Sequence, residues 1–316
     1  KFMKFKKPDF WDQKKPNIIS YLLFPVMYLI KIINFIYKKE KIKTDKIKTI
    51  CVGNIYIGGT GKTSLSIKIN NILKNHKIKS CFIKKFYSDQ TDEQELLKSK
   101  GKLFLHQKRI NAINQAADEG YEVAILDDGL QDYSINYDLI FVCFNNLNWI
   151  GNGLTIPAGP LRESINNLQK YHHVFLNGNL ENLEVIKKYI LSINPKINIH
   201  IGKYIPLNLE EFNNQDKYLV FSGIGNHKTF ISMIRNSGLN IIKDVEFPDH
   251  YNYTENDIKK ILKQSSEMNA KIITTEKDFH RLKNYKTNDI KILKSEIQII
   301  DEEKLINTIL KKNETN

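Results

Sequence analysis

The stretch Ile47-Lys48-Thr49-Ile50-Cys51-Val52-Gly53-Asn54-Ile55-Tyr56-Ile57-Gly58-Gly59-Thr60-Gly61-Lys62-Thr63-Ser64 decides how this chain folds. Ile47 to Val52 is apolar and β-branched and reads as a strand. Ser64 to Lys74 has the spacing of a helix. A glycine loop between a strand and a helix builds a phosphate cradle, because the glycines let backbone N–H groups turn inward and the helix N-terminus adds its positive end. The spacing places Ile57, Gly58, Gly59, Thr60, Gly61, Lys62, Thr63 and Ser64 around a nucleotide triphosphate. Lys62 is expected to reach the β/γ-phosphates and Thr63 to hold Mg²⁺. Tyr56 stands where the usual motif has its first glycine, five residues before Gly61. Ile57 stands where the partition-type ATPases carry a lysine, so the loop is not of that kind.

Working outward, Ser80 to Lys84, Lys102 to His106, Tyr121 to Leu126 and Leu139 to Phe144 read as strands. Glu93 to Lys100 and Arg109 to Glu119 read as helices between them. Strands alternating with helices predict a parallel sheet covered on both faces, with ligands at the carboxyl ends of the strands. After a glycine- and proline-rich loop at 150–165 come a short strand, Val174 to Leu176, a helix, Leu183 to Leu191, and an extended run, Ile197 to Leu209. The polar break Asn213-Asn214-Gln215-Asp216 predicts a linker. Beyond it, Tyr218 to Phe221 and Lys271 to Thr275 read as strands, with a helix from about Lys228. The expected organisation is a basic N-terminal segment at 1–46, a P-loop domain at 47–213 and a smaller α/β domain at 214–316.

The chain has 316 residues, 41% of them hydrophobic, and a net charge of +13. Residues 1–48 hold 13 Lys against Asp9, Asp12, Glu40 and Asp45, a net of +9 that leaves +4 for the rest. Charge gathered around one apolar segment argues against a nucleic-acid groove, which would spread it among aromatics. That segment, Ile18 to Tyr37, is interrupted by Pro25 and contains Lys31 and Asn34. At helical spacing Ser20, Lys31, Asn34 and Lys38 fall in a stripe roughly 60° wide. A helix lying in a membrane interface is the favoured reading, with a true span or a helix packed on the domain as the others. No cleavable signal is expected, since the first apolar run begins at Ile18 without a small-residue cleavage site. Cys51, Cys81 and Cys143 lie in apolar strands without ligand spacing and read as reduced core thiols.

Four further constellations carry chemistry. Asp127-Asp128 follows an apolar strand, where a carboxylate supports Mg²⁺ directly or through water; a polar turn is the alternative. Arg162-Glu163 ends a proline-glycine loop; Arg162 is placed to stabilise a transferring phosphoryl group and Glu163 to add a metal ligand, unless both are surface charges. Asp92-Glu93 opens a helix, either as dipole-favoured carboxylates or with Asp92 as general base. Asp249-His250 forms either a proton relay or a solvated loop. Thr274-Thr275-Glu276-Lys277-Asp278 and Ser222-Gly223-Ile224-Gly225 each end a strand of the second α/β region.

Taken in order, these pieces resemble one family, the tetraacyldisaccharide 4′-kinases of lipid A biosynthesis. The pieces are Val52-Gly53-Asn54 with Gly58 to Thr63, and Asp127-Asp128-Gly129-Leu130-Gln131. Gly151-Asn152-Gly153 with Pro157-Ala158-Gly159-Pro160-Leu161-Arg162-Glu163 follows, then Phe247-Pro248-Asp249-His250-Tyr251 and Thr274 to Asp278. The greasy N-terminal helix and the missing first glycine at Tyr56 also belong to that pattern. The resemblance implies ATP- and Mg²⁺-dependent phosphorylation of the 4′-hydroxyl of an acylated glucosamine disaccharide 1-phosphate, yielding lipid IVA. It implies two α/β/α units with the site in the cleft between them, and Asp92 as base paired with His250. It further implies attachment through residues 17–38 to the anionic cytoplasmic face of the bacterial inner membrane, with no nucleic acid and no obligate protein partner. Lys84-Lys85-Phe86-Tyr87-Ser88-Asp89 replaces the family's longer Ser-Arg-Gly-Tyr-Gly-Gly, which makes Asp89 a rival base. Asp132 stands for a usual histidine and Leu154 for a usual arginine. The reading from another class is a membrane-associated P-loop ATPase switch acting on a protein partner; a nucleic-acid-binding ATPase is third.

Overall fold

The computed structural model describes residues 7–36, 42–86, 91–282, 285 and 288–311, with only the backbone of 34–36, 91 and 92. Chain contacts divide the protein into two units: unit 1 comprises 1–86, 100–202 and 299–316, and unit 2 comprises 87–99 and 203–298.

The N-terminal apolar run forms two helices, α1 (Ile18–Leu22) and α2 (Phe24–Ile36), rather than the single helix expected over 18–37. Leu23 closes α1, its N–H bonding back to Ile19 O. Pro25 then falls in the first turn of α2, where its missing N–H is not needed. Ser20 is buried, so the expected polar stripe is not one solvent-facing line; the side chains of Asn34 and Lys38 lie outside the described residues.

A short β1 (Ile42–Lys43) leads to β2 (Lys48–Gly53), α3 (Lys62–Asn75) and β3 (Ser80–Lys85). Next come α4 (Thr91–Lys100), β4 (Leu103–His106), α5 (Arg109–Asp118) and β5 (Val123–Asp127). They are followed by β6 (Ile135–Asn136), β7 (Leu139–Asn145), β8 (His173–Asn177), α6 (Leu183–Ile193) and β9 (Asn198–Pro206). The main sheet runs β9-β8-β7-β2-β5-β3-β4, and the neighbouring pairs are parallel. β2 lies between β7 and β5, where the strand order reverses, and such a switch point opens a crevice at the carboxyl ends of the strands. Cys51, Val142 and Val174 pack with Ile186 and Ile190 of α6. Cys81, Ile83 and Ala124 pack with Ala112, Ile113 and Ala116 of α5. The three cysteines are free and buried.

Unit 2 adds β10 (Lys217–Ser222), α7 (His227–Asn236), β11 (Asn240–Glu246), α8 (Glu255–Glu267), β12 (Lys271–Thr275), α9 (Glu276–Arg281), β13 (Ile290–Leu293) and β14 (Ser295–Ile299). Its sheet is β11-β10-β12-β13, again parallel. The period-2 alternation of a strand sorts β10. Tyr218 and Val220 pack with Phe230 and Ile234 of α7, and Leu219 and Phe221 with Ile258 and Ile261 of α8. α10 (Glu302–Leu310) follows.

The boundary expected at 213/214 falls instead at 202/203, within β9, and residues 299–316 return to unit 1. β9 runs unbroken through Asn198–Pro206, so no loop marks that division, and Ile300 N–H bonds back to Ile201 O, which ties the C-terminal residues to unit 1. The polar run at 213–216 is an internal turn that precedes β10, with Asp216 N–H bonded to Asn213 O.

Candidate active site

The glycine loop follows β2 and opens α3. Gly58 and Gly61 take φ of +119° and +80°, a region where side chains are strained. Gly61 is the N-cap of α3, so Lys62, Thr63 and Ser64 occupy its first turn, two residues earlier than the expected helix start. Residues 54–61 connect the end of β2 to that turn. Two buried amides hold it from beneath: Asn54 Nδ2 donates to Gly58 O at 3.3 Å, and Asn177 Nδ2 from β8 donates to Thr60 O at 2.7 Å. The loop at 150–165 is pinned alongside. Ile57 N–H donates to Pro160 O at 2.9 Å and Arg162 N–H to Ile55 O at 2.7 Å, while Tyr56 bridges to Leu161. Tyr56 is therefore a strand-like contact for the loop that carries Arg162, which explains a large residue where other P-loops have glycine.

Asp127 ends β5 in register with Val52 of β2, Asp128 follows with its N–H on Val52 O, and the two are held differently. Asp127 is fully buried. Thr63 Oγ1 donates to its Oδ2 at 3.3 Å and Ser66 Oγ to its Oδ1 at 3.5 Å. Asp128 takes φ +59° and turns the other way. Its Oδ1 accepts from Arg162 Nη1 at 2.7 Å and lies 3.7 Å from Lys62 Nζ. Burial pushes the Asp128 carboxyl up, but Lys62 and Arg162 outweigh it and hold it at about 2. Arg162 also donates to Gln131 Oε1 at 2.8 Å, and Gln131 Nε2 returns to Asn54 O at 2.9 Å. Arg109, unremarked in the sequence, secures the turn by donating to Asp128 O at 2.7 Å and to Asp132 at 3.3 Å.

A hydroxyl and two carboxylates are hard oxygen donors, one of them firmly ionised, and suit Mg²⁺. No group of three or more His, Cys, Asp or Glu side chains converges among the described residues. Glu163 is engaged elsewhere: it accepts from Asn167 at 2.6 Å, Tyr171 at 3.1 Å and Gln131 at 3.5 Å. Burial raises its pKa, against the pull of those donors.

In unit 2, His250 has φ +56°, and its N–H donates to Gly223 O at 3.1 Å. Its Nε2 lies 3.8 Å from Glu93 Oε1 of α4 and 3.8 Å from Asp249. Arg281 Nη2 approaches His250 Nδ1 at 3.5 Å, and Lys277 Nζ lies 3.5 Å from Glu93. Asp278 underlies the arrangement. It is buried and accepts from Gly223 N–H at 2.9 Å, Tyr253 OH at 2.8 Å and Arg281 at 3.1 Å. The motifs at 222–225 and 274–278 thus form the platform on which His250 is seated. Asp92 lies in the first turn of α4, but its side chain and the whole of Asp89 lie outside the described residues.

The N-terminal segment is tied to the same loops. Lys7 Nζ donates to Tyr56 OH at 2.7 Å and pairs with Asp12, which accepts from that hydroxyl. Trp11 Nε1 donates to Pro157 O at 3.1 Å, Asn152 N–H to Trp11 O at 2.9 Å, and Asn152 Nδ2 to Ser20 Oγ at 3.1 Å. At Gly151, φ +56°, a Cβ would stand 2.2 Å from Trp11 O. The Gly151-Asn152-Gly153 motif is the seat of this segment.

Residues 19–314 match the family model described as tetraacyldisaccharide-1-P 4′-kinase. The chain is 60% identical over 314 residues to the tetraacyldisaccharide 4′-kinase of Pelagibacter ubique, covering 99% of this chain and 100% of that one. It is 32% identical to the enzyme of the same name from Rickettsia bellii, covering 89% and 90%. The solved structure of LpxK from Aquifex aeolicus in complex with ATP shares the fold, with a TM-score of 0.65 at 23% identity, covering 92% of this chain and 98% of that one. A family model spanning nearly the whole chain, with relatives matched end to end, shows that this chain belongs to the tetraacyldisaccharide 4′-kinase family.

Proposed function

We propose that this chain transfers the γ-phosphoryl group of ATP to the 4′-hydroxyl of an acylated glucosamine disaccharide 1-phosphate, forming lipid IVA. The observation that carries the reading is the convergence of Lys62, Thr63, Asp127, Asp128 and Arg162 at the carboxyl ends of β2 and β5, in a chain of this family. In the reaction the acceptor oxygen bonds to the γ-phosphorus, the bond to the β,γ-bridging oxygen breaks, and ADP leaves. The cradle from Ile57 to Ser64 holds the phosphates, and Lys62 offsets their charge. Arg162, oriented by Asp128 and Gln131, steadies the transferring group. Thr63, Asp127 and Asp128, with Glu163 as a further candidate, would hold a Mg²⁺ ion, which would supply charge neutralisation for the phosphates. Asp92 takes the hydroxyl proton, supported by His250, which Glu93 and Arg281 orient.

The helices α1 and α2 rest on an anionic membrane surface, at the cytoplasmic face of the inner membrane. Ile18, Tyr21, Leu22, Leu29, Ile32 and Ile33 are exposed, while Ser20 and Met27 are buried. Exposed apolar side chains on short helices within a lysine-rich segment suit an interface. Among the described residues no helix is long and apolar enough to cross a membrane. Such a position lets the acceptor keep its acyl chains in lipid.

Radiolabelled ATP with a lipid disaccharide acceptor tests the reading by chromatography. Label moving to the lipid is the expected result. Rapid ATP hydrolysis without acceptor, and no labelled lipid, would favour the ATPase switch, a reading that family membership does not favour.

A further inference from the structure

Lys84 ends the buried face of β3, an apolar strand in which an ammonium has no obvious place. It is 2% exposed, and its Nζ donates to Asp127 Oδ2 at 2.7 Å. That oxygen is also the one that accepts from Thr63 Oγ1. The carboxylate expected to support a metal thus already carries a cation, and that cation arises from a different strand than the cradle. Asp128 has its own partners in Lys62 and Arg162, so two adjacent carboxylates are matched by three cations. Without Lys84, Asp127 would be a buried carboxylate held by the hydroxyls of Thr63 and Ser66. A buried charge left in that state calls for a replacement cation.

We propose that Lys84 is the resident counter-ion of Asp127, a positioning residue that holds this carboxylate against Thr63 and lets the cradle accept a nucleoside triphosphate before any divalent cation arrives. The inference rests on the nucleotide reading of the cradle. Its consequence is a site whose nucleotide affinity depends weakly on Mg²⁺. Removing the ammonium transfers the neutralisation of Asp127 to the metal, so nucleotide and Mg²⁺ become strongly coupled.

The test is equilibrium binding of a fluorescent ATP analogue to the full chain, in EDTA and in saturating Mg²⁺. Melting temperatures with and without Mg²⁺ alone are measured alongside. Wild type should bind the analogue in EDTA within about tenfold of its affinity in Mg²⁺, and Lys84→Met should widen that ratio by at least about tenfold, an ordinary scale for coupling between two ligands. Lys84→Met should also gain melting temperature from Mg²⁺ where wild type does not, and Lys84→Arg should restore both readouts. If Lys84→Met does not fold, Lys84→Gln, which keeps a donor at Asp127 without the charge, reads the same ratio. Wild type that binds only with Mg²⁺, or a neutral variant with the wild-type ratio, overturns the inference alone. Absence of binding under both conditions overturns the nucleotide reading and the inference with it.

Discussion

Replacing Lys62 by Met separates the chemistry of the cradle from its stability. Lys62 Nζ lies 3.7 Å from Asp128 Oδ1, with side-chain exposures of 14% and 26%. At an effective dielectric of about 20, a pair at that distance gains about 4 kcal/mol before desolvation and ordering are subtracted. Asp128 keeps Arg162 at 2.7 Å on the same oxygen, so the variant leaves no unpaired carboxylate. The net loss should be about 1 kcal/mol, or about 2 °C in melting temperature for a chain of this size. Transfer of label from ATP to the lipid acceptor should fall by about 10²–10³, as when one preorganised electrostatic partner of a transition state is removed. The acid limb of unfolding should move too. A carboxyl held low in the fold adds stability that is full above its unfolded value, 3.8, and is lost as pH falls through its folded value, about 2. Losing Lys62 raises the folded value, so the variant loses less stability over that window and starts from a lower plateau. Circular dichroism between pH 6 and pH 2 checks the window, and phosphate transfer at neutral pH checks the activity. Near-normal transfer would refute the phosphate role of Lys62. A melting temperature lowered by more than about 10 °C would refute the claim that Arg162 alone suffices for Asp128.

Asp92→Ala should lower the rate by at least about a hundredfold with little change in melting temperature, if Asp92 is the base. If Asp89→Ala causes that loss and Asp92→Ala does not, the base is Asp89. Leu22→Glu with Leu29→Glu, both well exposed, should abolish sedimentation with anionic vesicles and change stability by no more than about 0.5 kcal/mol. Undiminished sedimentation would reject α1 and α2 as the membrane contact. Gly151→Ala should cost about 1–3 kcal/mol, because φ is +56° and the new Cβ would press on Trp11 O at 2.2 Å. A melting curve matching wild type would show that the N-terminal segment gives way freely.

Local rules made much of the fold legible. β2, α3 and β5 follow from β-branched runs, helical spacing and glycines that must take positive φ, and each signal lies within a few residues of its consequence. The breaks in expectation occur where a distant contact decides. The linker at 213–216 is composed like a boundary, yet β9 carries the chain through Gly202 and Lys203 with nothing in its composition to mark a division. The apolar run at 18–37 reads as one helix because Pro25 is a weak breaker near a helix start. Asn17 caps α1 by accepting from Ser20 N–H, and a second helix then begins at Phe24.

The same distinction runs through the candidate site. Lys62, Thr63, Asp127, Asp128 and Arg162 carry motif signals, because the first four sit at the end of a strand or the start of a helix that their own neighbours specify and Arg162 ends a proline-glycine loop. Lys84 opens the run that departs from the family's Ser-Arg-Gly-Tyr-Gly-Gly, so no motif assigns it a role. Its own residue type shows only a charge at the end of an apolar strand, and such a charge is usually an exposed strand end. Its meaning depends on β3 lying next to β5, a pairing that aligns Ile83 with Leu126 and so sets Lys84 beside Asp127. A strand order cannot be read from either strand alone. Trp11, Asp12 and Lys7 are hidden for the same reason, since their partners lie at Tyr56, Asn152 and Pro157. The residues proposed to hold phosphate are thus local in sequence, whereas those that set charge and position around them arrive from distant parts of the chain. Variants of the second kind should therefore change metal dependence and stability before they abolish transfer, and Lys84 is where that ordering can be measured first.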